Sequence, residues 1–129
     1  MRILLDTHCW LWWISTPEKL DPRAQQLITD SQNKVFFSAA SSWEIAIKYA
    51  LGKLALPKAP EEFIPPRLTR DAITPLHIKH THALHVATLP LHHRDPFDRL
   101  LISQAQMERL SIITVDRQFE AYEVELIWG

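Results

Sequence analysis

The spacing of apolar residues along the chain predicts strands that alternate with helices. An apolar run without polar positions, such as residues 3–5, is typical of a strand buried on both faces of a parallel sheet. Strands or extended segments are predicted at residues 3–5, 35–38, 73–76, 111–116 and 124–128. Helical spacing predicts helices at residues 7–14, 22–30, 40–51, 77–89 and 96–109. The alternation indicates a doubly wound α/β domain, and no change of composition divides residues 1–129 into more than one domain.

Proline and glycine mark several of the predicted boundaries. Pro22 and Pro96 each follow an aspartate, which is the pattern of an N-cap followed by proline at the first helical position. Gly52 is a natural stop for the helix that precedes it. The four prolines between residues 53 and 66 predict an irregular connection that contains only a short helix at residues 61–64.

Composition excludes several classes of protein. The formal net charge of −1 argues against coating nucleic acid by bulk charge, although it leaves room for a local basic groove. Gly52 and Gly129 are the two glycines of the chain, too few for a glycine-rich phosphate loop. The single cysteine, Cys9, allows no internal disulfide and fits a reducing compartment. No signal-peptide pattern follows Met1 and no apolar run reaches membrane-spanning length, so we expect a cytoplasmic protein.

Four acidic residues occupy equivalent positions relative to the predicted strands. Asp6 and Asp116 end apolar strands, whereas Glu44 and Asp98 lie in the first turns of helices. Strand C-termini and the N-termini of the following helices share one edge of a parallel sheet, so the four carboxylates can meet there. Such acids would repel one another unless a hard divalent cation, Mg²⁺ or Mn²⁺, accepts their oxygens. Paired ions of this kind activate water in phosphodiester hydrolysis.

Each of these acids also has a structural interpretation. Asp6 and Asp116 could cap the helical turns that follow them, and Asp98 would favour a helix N-terminus without any metal. Glu44 could be a surface partner of Lys48 at i,i+4 spacing, worth about 0.3–0.5 kcal/mol. Asp95 is predicted as the N-cap of its helix, with a water-mediated role at the site left open. The predicted meeting of four acids at one edge favours a site.

Six histidines lie between residues 77 and 93. Spacing of three could make a zinc pair of His82 and His85, but no thiolate or fourth ligand stands nearby. We therefore expect these histidines to be solvated or to face substrate phosphate: His77, His80, His82, His85, His92 and His93. Arg94 and Arg99 flank the acidic centre, where they either hold an RNA phosphate or lie on a solvated face.

Four motifs together resemble those of PIN-domain ribonucleases, and in particular VapC-type toxins of type II toxin–antitoxin pairs. They are ILLDTHCWLWW, FSAASSWEIAIKYALGKL, DPFDRLLISQAQ and IITVD, in this order along essentially the whole chain. The resemblance implies a three-layer α/β/α sandwich with a mostly parallel central sheet. It also implies Mg²⁺- or Mn²⁺-dependent endoribonuclease activity, a homodimer, and inhibition by a small antitoxin that docks near the active site.

By position, the resemblance assigns Asp6, Glu44, Asp98 and Asp116 to the acidic centre. Asp6 and Asp98 are expected to ligate the metal directly, with Glu44 and Asp116 completing the shell partly through water. Thr7 or Thr114 is expected to orient ligands or water through its hydroxyl group.

Other functions remain to be weighed. A haloacid-dehalogenase-like phosphatase would have a second aspartate two residues after Asp6, where this chain has His8. Another Mg²⁺-dependent phosphoryl hydrolase is an alternative, as is an interaction module that keeps the fold without catalysis. The presence of all four acids argues against the interaction module.

Overall fold

The computed structural model describes residues 1–129, and five strands form one sheet at its centre. The strands are β1 (Arg2–Leu5), β2 (Lys34–Ser38), β3 (Thr74–Leu76), β4 (Ser111–Thr114) and β5 (Leu126–Trp128). Their order is β3-β2-β1-β4-β5, and every neighbouring pair is parallel. The central strand, β1, therefore pairs with β2 on one side and with β4 on the other.

Six helices surround the sheet: α1 (Thr7–Ser15), α2 (Pro22–Thr29), α3 (Ala39–Ala50), α4 (Pro60–Arg70), α5 (His80–His85) and α6 (Pro96–Glu108). Three short 3₁₀ segments lie at Pro17–Lys19, Val86–Thr88 and Arg117–Ala121. None of the helices is long and apolar enough to span a bilayer.

Both faces of the sheet are buried, as the unbroken apolar runs predict. Ile3 and Leu5 point into a core that includes Trp10 of α1, whereas Leu4 points into a second core with Leu101 of α6. Successive side chains of a strand point to opposite faces, so a strand between two helical layers must be apolar throughout. The predicted three-layer α/β/α sandwich is confirmed, and its all-parallel sheet meets the expectation of a mostly parallel one.

The proline-rich connection is where the sequence prediction is wrong. A helix was expected only at residues 61–64, but α4 runs over eleven residues and includes Pro65 and Pro66. Ile64 and Leu68, one turn apart, are buried in the core and hold the helix against the sheet. Both prolines face solvent, where water can bind the carbonyl groups that lack a helical N–H partner. Tertiary packing thus outweighs the local cost of proline.

Smaller corrections concern the ends of other elements. The helix expected at residues 77–89 is the shorter α5 followed by a 3₁₀ turn, because the backbone N–H of Lys79 donates to His82 Nδ1 and starts the helix there. The strand expected to end at Asp116 ends at Thr114, and β5 begins two residues after the predicted position, at Leu126. These shifts leave the strand order unchanged.

Ser38 links the start of α3 to α6. Its Oγ accepts the N–H of Ala40 at 3.0 Å, which caps α3, and donates to Gln104 Oε1 at 2.6 Å. Ser38 is fully buried, so neither bond can be replaced by bulk water. The same helix stops before Gly52, whose φ of +73° is the left-handed conformation predicted for a glycine stop.

Ser38→Ala is expected to lower the free energy of unfolding by about 2–3 kcal/mol, because it removes an N-cap and leaves the buried Gln104 oxygen without a donor. Asp21→Ala is the matched control, since Asp21 caps α2 at an exposed position by accepting the N–H of Arg23. That control should cost about 1 kcal/mol or less. Urea denaturation of both variants measures the difference, and equal losses would contradict the role assigned to Ser38.

Candidate active site

The site begins at the carboxyl edge of the sheet, where the parallel strands end. After β1 the chain turns toward β2 and β3, whereas β4 and β5 lie on the opposite side of β1. A crevice opens at such a reversal of strand order, and open α/β sheets bind their ligands there. Asp6 follows β1 directly and Asp116 follows β4 by two residues, so both stand at this crevice.

Thr114 connects the two aspartates of the crevice. Its hydroxyl group donates to Asp6 Oδ2 at 2.7 Å and accepts the backbone N–H of Asp116 at 3.0 Å. Asp6 is 5% exposed and stands at the N-cap position of α1, but its side chain makes no capping hydrogen bond. The Thr114 hydroxyl group, on the neighbouring strand β4, therefore orients this carboxylate.

The start of α6 supplies a third carboxylate. Asp95 caps this helix as predicted, because its Oδ1 accepts the N–H groups of Phe97 at 2.8 Å and Asp98 at 3.1 Å. Capping fixes the first turn and leaves the Asp98 side chain, which is 15% exposed, directed at the crevice. Asp95 thus has a structural role, and Asp98 is the acid of this helix that faces the cavity.

Glu44 enters from α3 and is paired with Lys48. Lys48 Nζ lies 2.7 Å from Glu44 Oε2, so the predicted i,i+4 pair is present. Only the lysine of this pair lies at the surface, since Glu44 is 8% exposed. The other carboxylate oxygen, Glu44 Oε1, is buried and has no hydrogen-bond partner. A buried oxygen of this kind costs free energy unless a ligand completes it.

The four carboxylates surround one cavity of about 210 Å³. Its walls are formed by Asp6, Thr7, His8, Leu11, Glu44, Lys48, Asp98, Val115 and Asp116. Burial, and then the neighbouring acids with Asp6 first, raise the pKa of Asp98 to about 8. Burial also raises the pKa of Asp6, against the lowering effect of its Thr114 hydrogen bond. The cavity is therefore built to hold positive charge.

His93 is the residue of this site that the sequence did not single out. Its Nε2 lies 2.9 Å from Asp98 Oδ2 and 3.0 Å from Asp116 Oδ2, and its side chain is buried. The ligand-type atoms of the three residues all lie within 4.8 Å of one another. The sequence does hold one signal for His93, which is its position two residues before Asp95, the N-cap of α6, at the carboxyl edge of the sheet.

The expectation of solvated or phosphate-facing histidines is wrong for His82 and His93, which are both buried. His82 has a packing role: its Nδ1 accepts a backbone N–H and its Nε2 lies 2.8 Å from Glu108 Oε1. His85 instead pairs through Nε2 with Gln106 Oε1 at 2.8 Å. The two histidines whose spacing could have made a zinc pair thus bind different partners on α6.

Three further residues that the sequence placed at the site, Thr7, Arg94 and Arg99, differ in their contacts. Thr7 lines the cavity, but its hydroxyl group donates to Ser41 Oγ at 2.7 Å and joins α1 to α3. The Arg99 guanidinium donates to the backbone carbonyl groups of four residues that precede α6 and to the Tyr122 hydroxyl group. These bonds hold the loop before α6 in place. Arg94 is exposed next to His93.

Comparison with known sequences decides the family. The sequence model of the PIN domain matches residues 3–125. The chain belongs to the PIN domain family. The family resemblance seen in the sequence motifs is thereby confirmed.

This PIN domain is similar in sequence to one curated ribonuclease and similar in fold to several solved structures. The chain is 42% identical over 59 residues to Ribonuclease VapC16 of Mycobacterium tuberculosis, an alignment that covers 46% of this chain and 42% of that protein. The chain therefore spans less than half of the length of this curated relative. VapBC2 from Rickettsia felis, bound to a DNA fragment from its promoter, has a similar fold, with a TM-score of 0.74, 16% identity and 98% coverage of both chains. A toxin–antitoxin complex from Klebsiella pneumoniae gives a TM-score of 0.64 and 17% identity, covering 97% of this chain and 95% of that one.

Proposed function

We propose that this PIN domain is a divalent-metal-dependent endoribonuclease and acts as the toxin of a toxin–antitoxin pair. The observation that carries the proposal is the cavity at the reversal of strand order, which four carboxylates surround. The similarity to Ribonuclease VapC16 supports RNA as the substrate. The fold shared with a toxin–antitoxin complex supports an antitoxin protein as partner.

The residues present fit a hard divalent cation. Every acidic side chain of the cavity offers oxygen, the donor that Mg²⁺ and Mn²⁺ prefer. Glu44 Oε1 is buried without a hydrogen-bond partner, and a bound cation would give it one. The pKa of Asp98 is raised chiefly by burial and next by nearby acids, and a bound cation would stabilise the charged carboxylates. We propose Asp6 and Asp98 as direct ligands, with Glu44 and Asp116 completing the shell. All four are proposed as the catalytic acids.

Hydrolysis of a phosphodiester needs an activated water and stabilisation of the leaving oxygen, and bound divalent ions supply both in nucleases. The chain contributes fixed ligands: Thr114 orients Asp6, and the cap of α6 orients Asp98. Lys48 neutralises part of the charge of Glu44 and reaches the cavity. Hydrogen bonding to Glu44 raises the pKa of Lys48, so the ammonium group persists at neutral pH.

Contacts outside the acidic centre are part of the same proposal. Arg94 is exposed beside the site and is our candidate for an RNA phosphate contact. Arg99 is not a candidate for this contact, because its guanidinium group donates to backbone carbonyl groups before α6. A homodimer, a cytoplasmic location and a single domain over residues 1–129 stay predictions from the sequence.

The test is cleavage of end-labelled RNA by the purified protein with Mg²⁺ or Mn²⁺. Cleavage should stop in excess chelator and return when the metal is restored. The control variant is Asp30→Asn, which should cleave like the parent. Asp30 is an exposed acid between α2 and β2, at the amino end of the sheet and away from the cavity. Activity that persists in chelator would exclude the metal mechanism. Metal binding by titration calorimetry without cleavage of any RNA would favour another phosphoryl hydrolase or a non-catalytic module.

A further inference from the structure

His93 occupies the gap between two acids of the proposed centre. We propose that His93 is a positioning residue that holds the Asp116 carboxylate through its Nε2–H, with the Asp98 carboxylate against the same nitrogen, and is not itself a metal ligand. The inference rests on the proposed function, because it concerns the site where the metal would bind. Its basis is the hydrogen bond from Nε2 to Asp116 Oδ2 at 3.0 Å, together with Asp98 Oδ2, which lies 2.9 Å from the same nitrogen.

The tautomer of His93 follows from its second ring nitrogen. The backbone N–H of Asp95 points at His93 Nδ1 at 3.3 Å. A backbone N–H can only donate, so Nδ1 must present its lone pair and the ring proton stands on Nε2. To ligate a metal through Nε2, the proton would have to move to Nδ1 and would then face another donor. The local backbone therefore opposes metal ligation by this histidine.

The ring is also held rigidly. The backbone N–H of His93 donates to the Tyr122 hydroxyl group at 2.8 Å, and its carbonyl accepts from Arg99 Nη1 at 3.3 Å. The imidazole packs edge-on against the Phe119 ring, with the centroids 5.9 Å apart. The backbone N–H, the carbonyl group and the ring of His93 are thus all held by neighbours, which come from α6 and from the segment after β4. A donor held in this way can orient a carboxylate with little loss of side-chain entropy.

The Nε2–H helps to fix the Asp116 carboxylate. It binds Asp116 Oδ2, while the backbone N–H of Gln118 donates to Asp116 Oδ1 at 2.9 Å. Asp98 Oδ2 lies against the same ring nitrogen, so His93 also limits where the Asp98 carboxylate can lie. Partners of this kind, which orient the ligands of a metal, typically change metal affinity about 10–100-fold when removed.

The test compares His93→Phe with His93→Gln. Phenylalanine keeps the ring volume without a donor, whereas glutamine keeps an N–H donor near the position of Nε2. Titration calorimetry with Mn²⁺ should give affinity about 10–100-fold weaker for His93→Phe and less than about tenfold weaker for His93→Gln. His92→Phe is the matched control, because His92 is the exposed neighbour, and it should bind Mn²⁺ like the parent. Thermal unfolding identifies any variant that fails to fold.

Nitrogen NMR of the parent needs no variant and reads the tautomer directly. The His93 ring should show a protonated Nε2 and an unprotonated Nδ1, both before and after addition of Mg²⁺. Loss of the Nε2 proton on addition of Mg²⁺ would make His93 a ligand and overturn the proposal, as would parent-like affinity in His93→Phe.

The two proposals fail separately in these measurements. Cleavage of RNA with parent-like metal affinity in His93→Phe would reject the role of His93 and keep the nuclease. Metal binding that depends on His93 in a parent that cleaves no RNA would keep the role of His93 and reject the nuclease. A parent that binds no metal would reject both.

Discussion

Asp98→Asn is expected to reduce RNA cleavage by more than about 100-fold, beyond the loss that residues orienting a ligand usually give. The amide keeps the shape of the side chain but removes one of the two carboxylates proposed to bind the metal directly. The capping bonds of Asp95 do not involve the Asp98 side chain, so α6 should start as in the parent. Single-turnover cleavage and Mn²⁺ titration measure the two losses, with Asp30→Asn as the control.

The same substitution should stabilise the metal-free protein at alkaline pH. Burial, followed by the charges of the neighbouring acids, raises the pKa of Asp98 to about 8 in the folded protein, whereas an unfolded aspartate titrates near 3.9. Between these values the folded state binds more protons, so the parent's free energy of unfolding falls as pH rises, by up to about 1.4 kcal/mol per pH unit. The contribution of Asp98 to the free energy of unfolding is therefore fully present below pH about 4 and lost above pH about 8.

The asparagine of the Asp98→Asn variant cannot ionise, so the variant should lack this part of the pH dependence. Urea denaturation of parent and variant at pH 5, 7 and 9, without metal, gives the comparison. Excess Mg²⁺ should stabilise the parent more than the variant, since only the parent keeps the full ligand set. Parallel stability curves for the two proteins would contradict the raised pKa.

Asp6→Asn is the second variant with a large expected effect. We expect cleavage and Mn²⁺ affinity to fall by more than about 100-fold, while the free energy of unfolding changes by less than about 1 kcal/mol or increases. Burial raises the pKa of Asp6, which means that the folded state disfavours its charge. Asparagine has nearly the same volume, and its side-chain oxygen can accept the Thr114 hydroxyl group.

Thr114→Val provides the graded comparison for Asp6→Asn. It leaves the carboxylate but removes the hydroxyl group that orients it, so metal affinity should fall only about 10–100-fold. Calorimetry, single-turnover cleavage and unfolding of the two variants together separate the loss of the ligand from the loss of its orientation. Parent-like Mn²⁺ binding in Asp6→Asn would show that the metal site lies elsewhere.

The parts of the fold that local sequence determines were predictable. Residues 3–5, 35–37 and 112–113 are all apolar because helices cover both faces of the sheet. The Asp95-Pro96 pair marks the start of α6 because cap chemistry involves only neighbouring residues. By contrast, α4 continues through Pro65 and Pro66 because distant core contacts hold it, and local rules do not contain those contacts.

The site shows the same division. The positions of Asp6, Glu44, Asp98 and Asp116 follow from strand and helix ends, so the carboxyl edge could be inferred before the structure. The contacts of His93 could not be inferred, although its position before the cap of α6 was visible, since they depend on a loop held by Arg99 and Tyr122. Five other histidines at similar positions in the sequence made it look ordinary.

The pairing of β1 with β4 also determines when the site can exist during synthesis. Asp6 is synthesised before Thr114, whose hydroxyl group orients it and comes 108 residues later in the chain. At typical translation rates this separates the two by on the order of 5–20 s. Until residues 111–114 emerge, β1 lacks one neighbour and Asp6 lacks its orienting donor. The centre of the proposed nuclease is therefore not assembled on a nascent chain until β4 has been made, so the translating messenger would be spared until then.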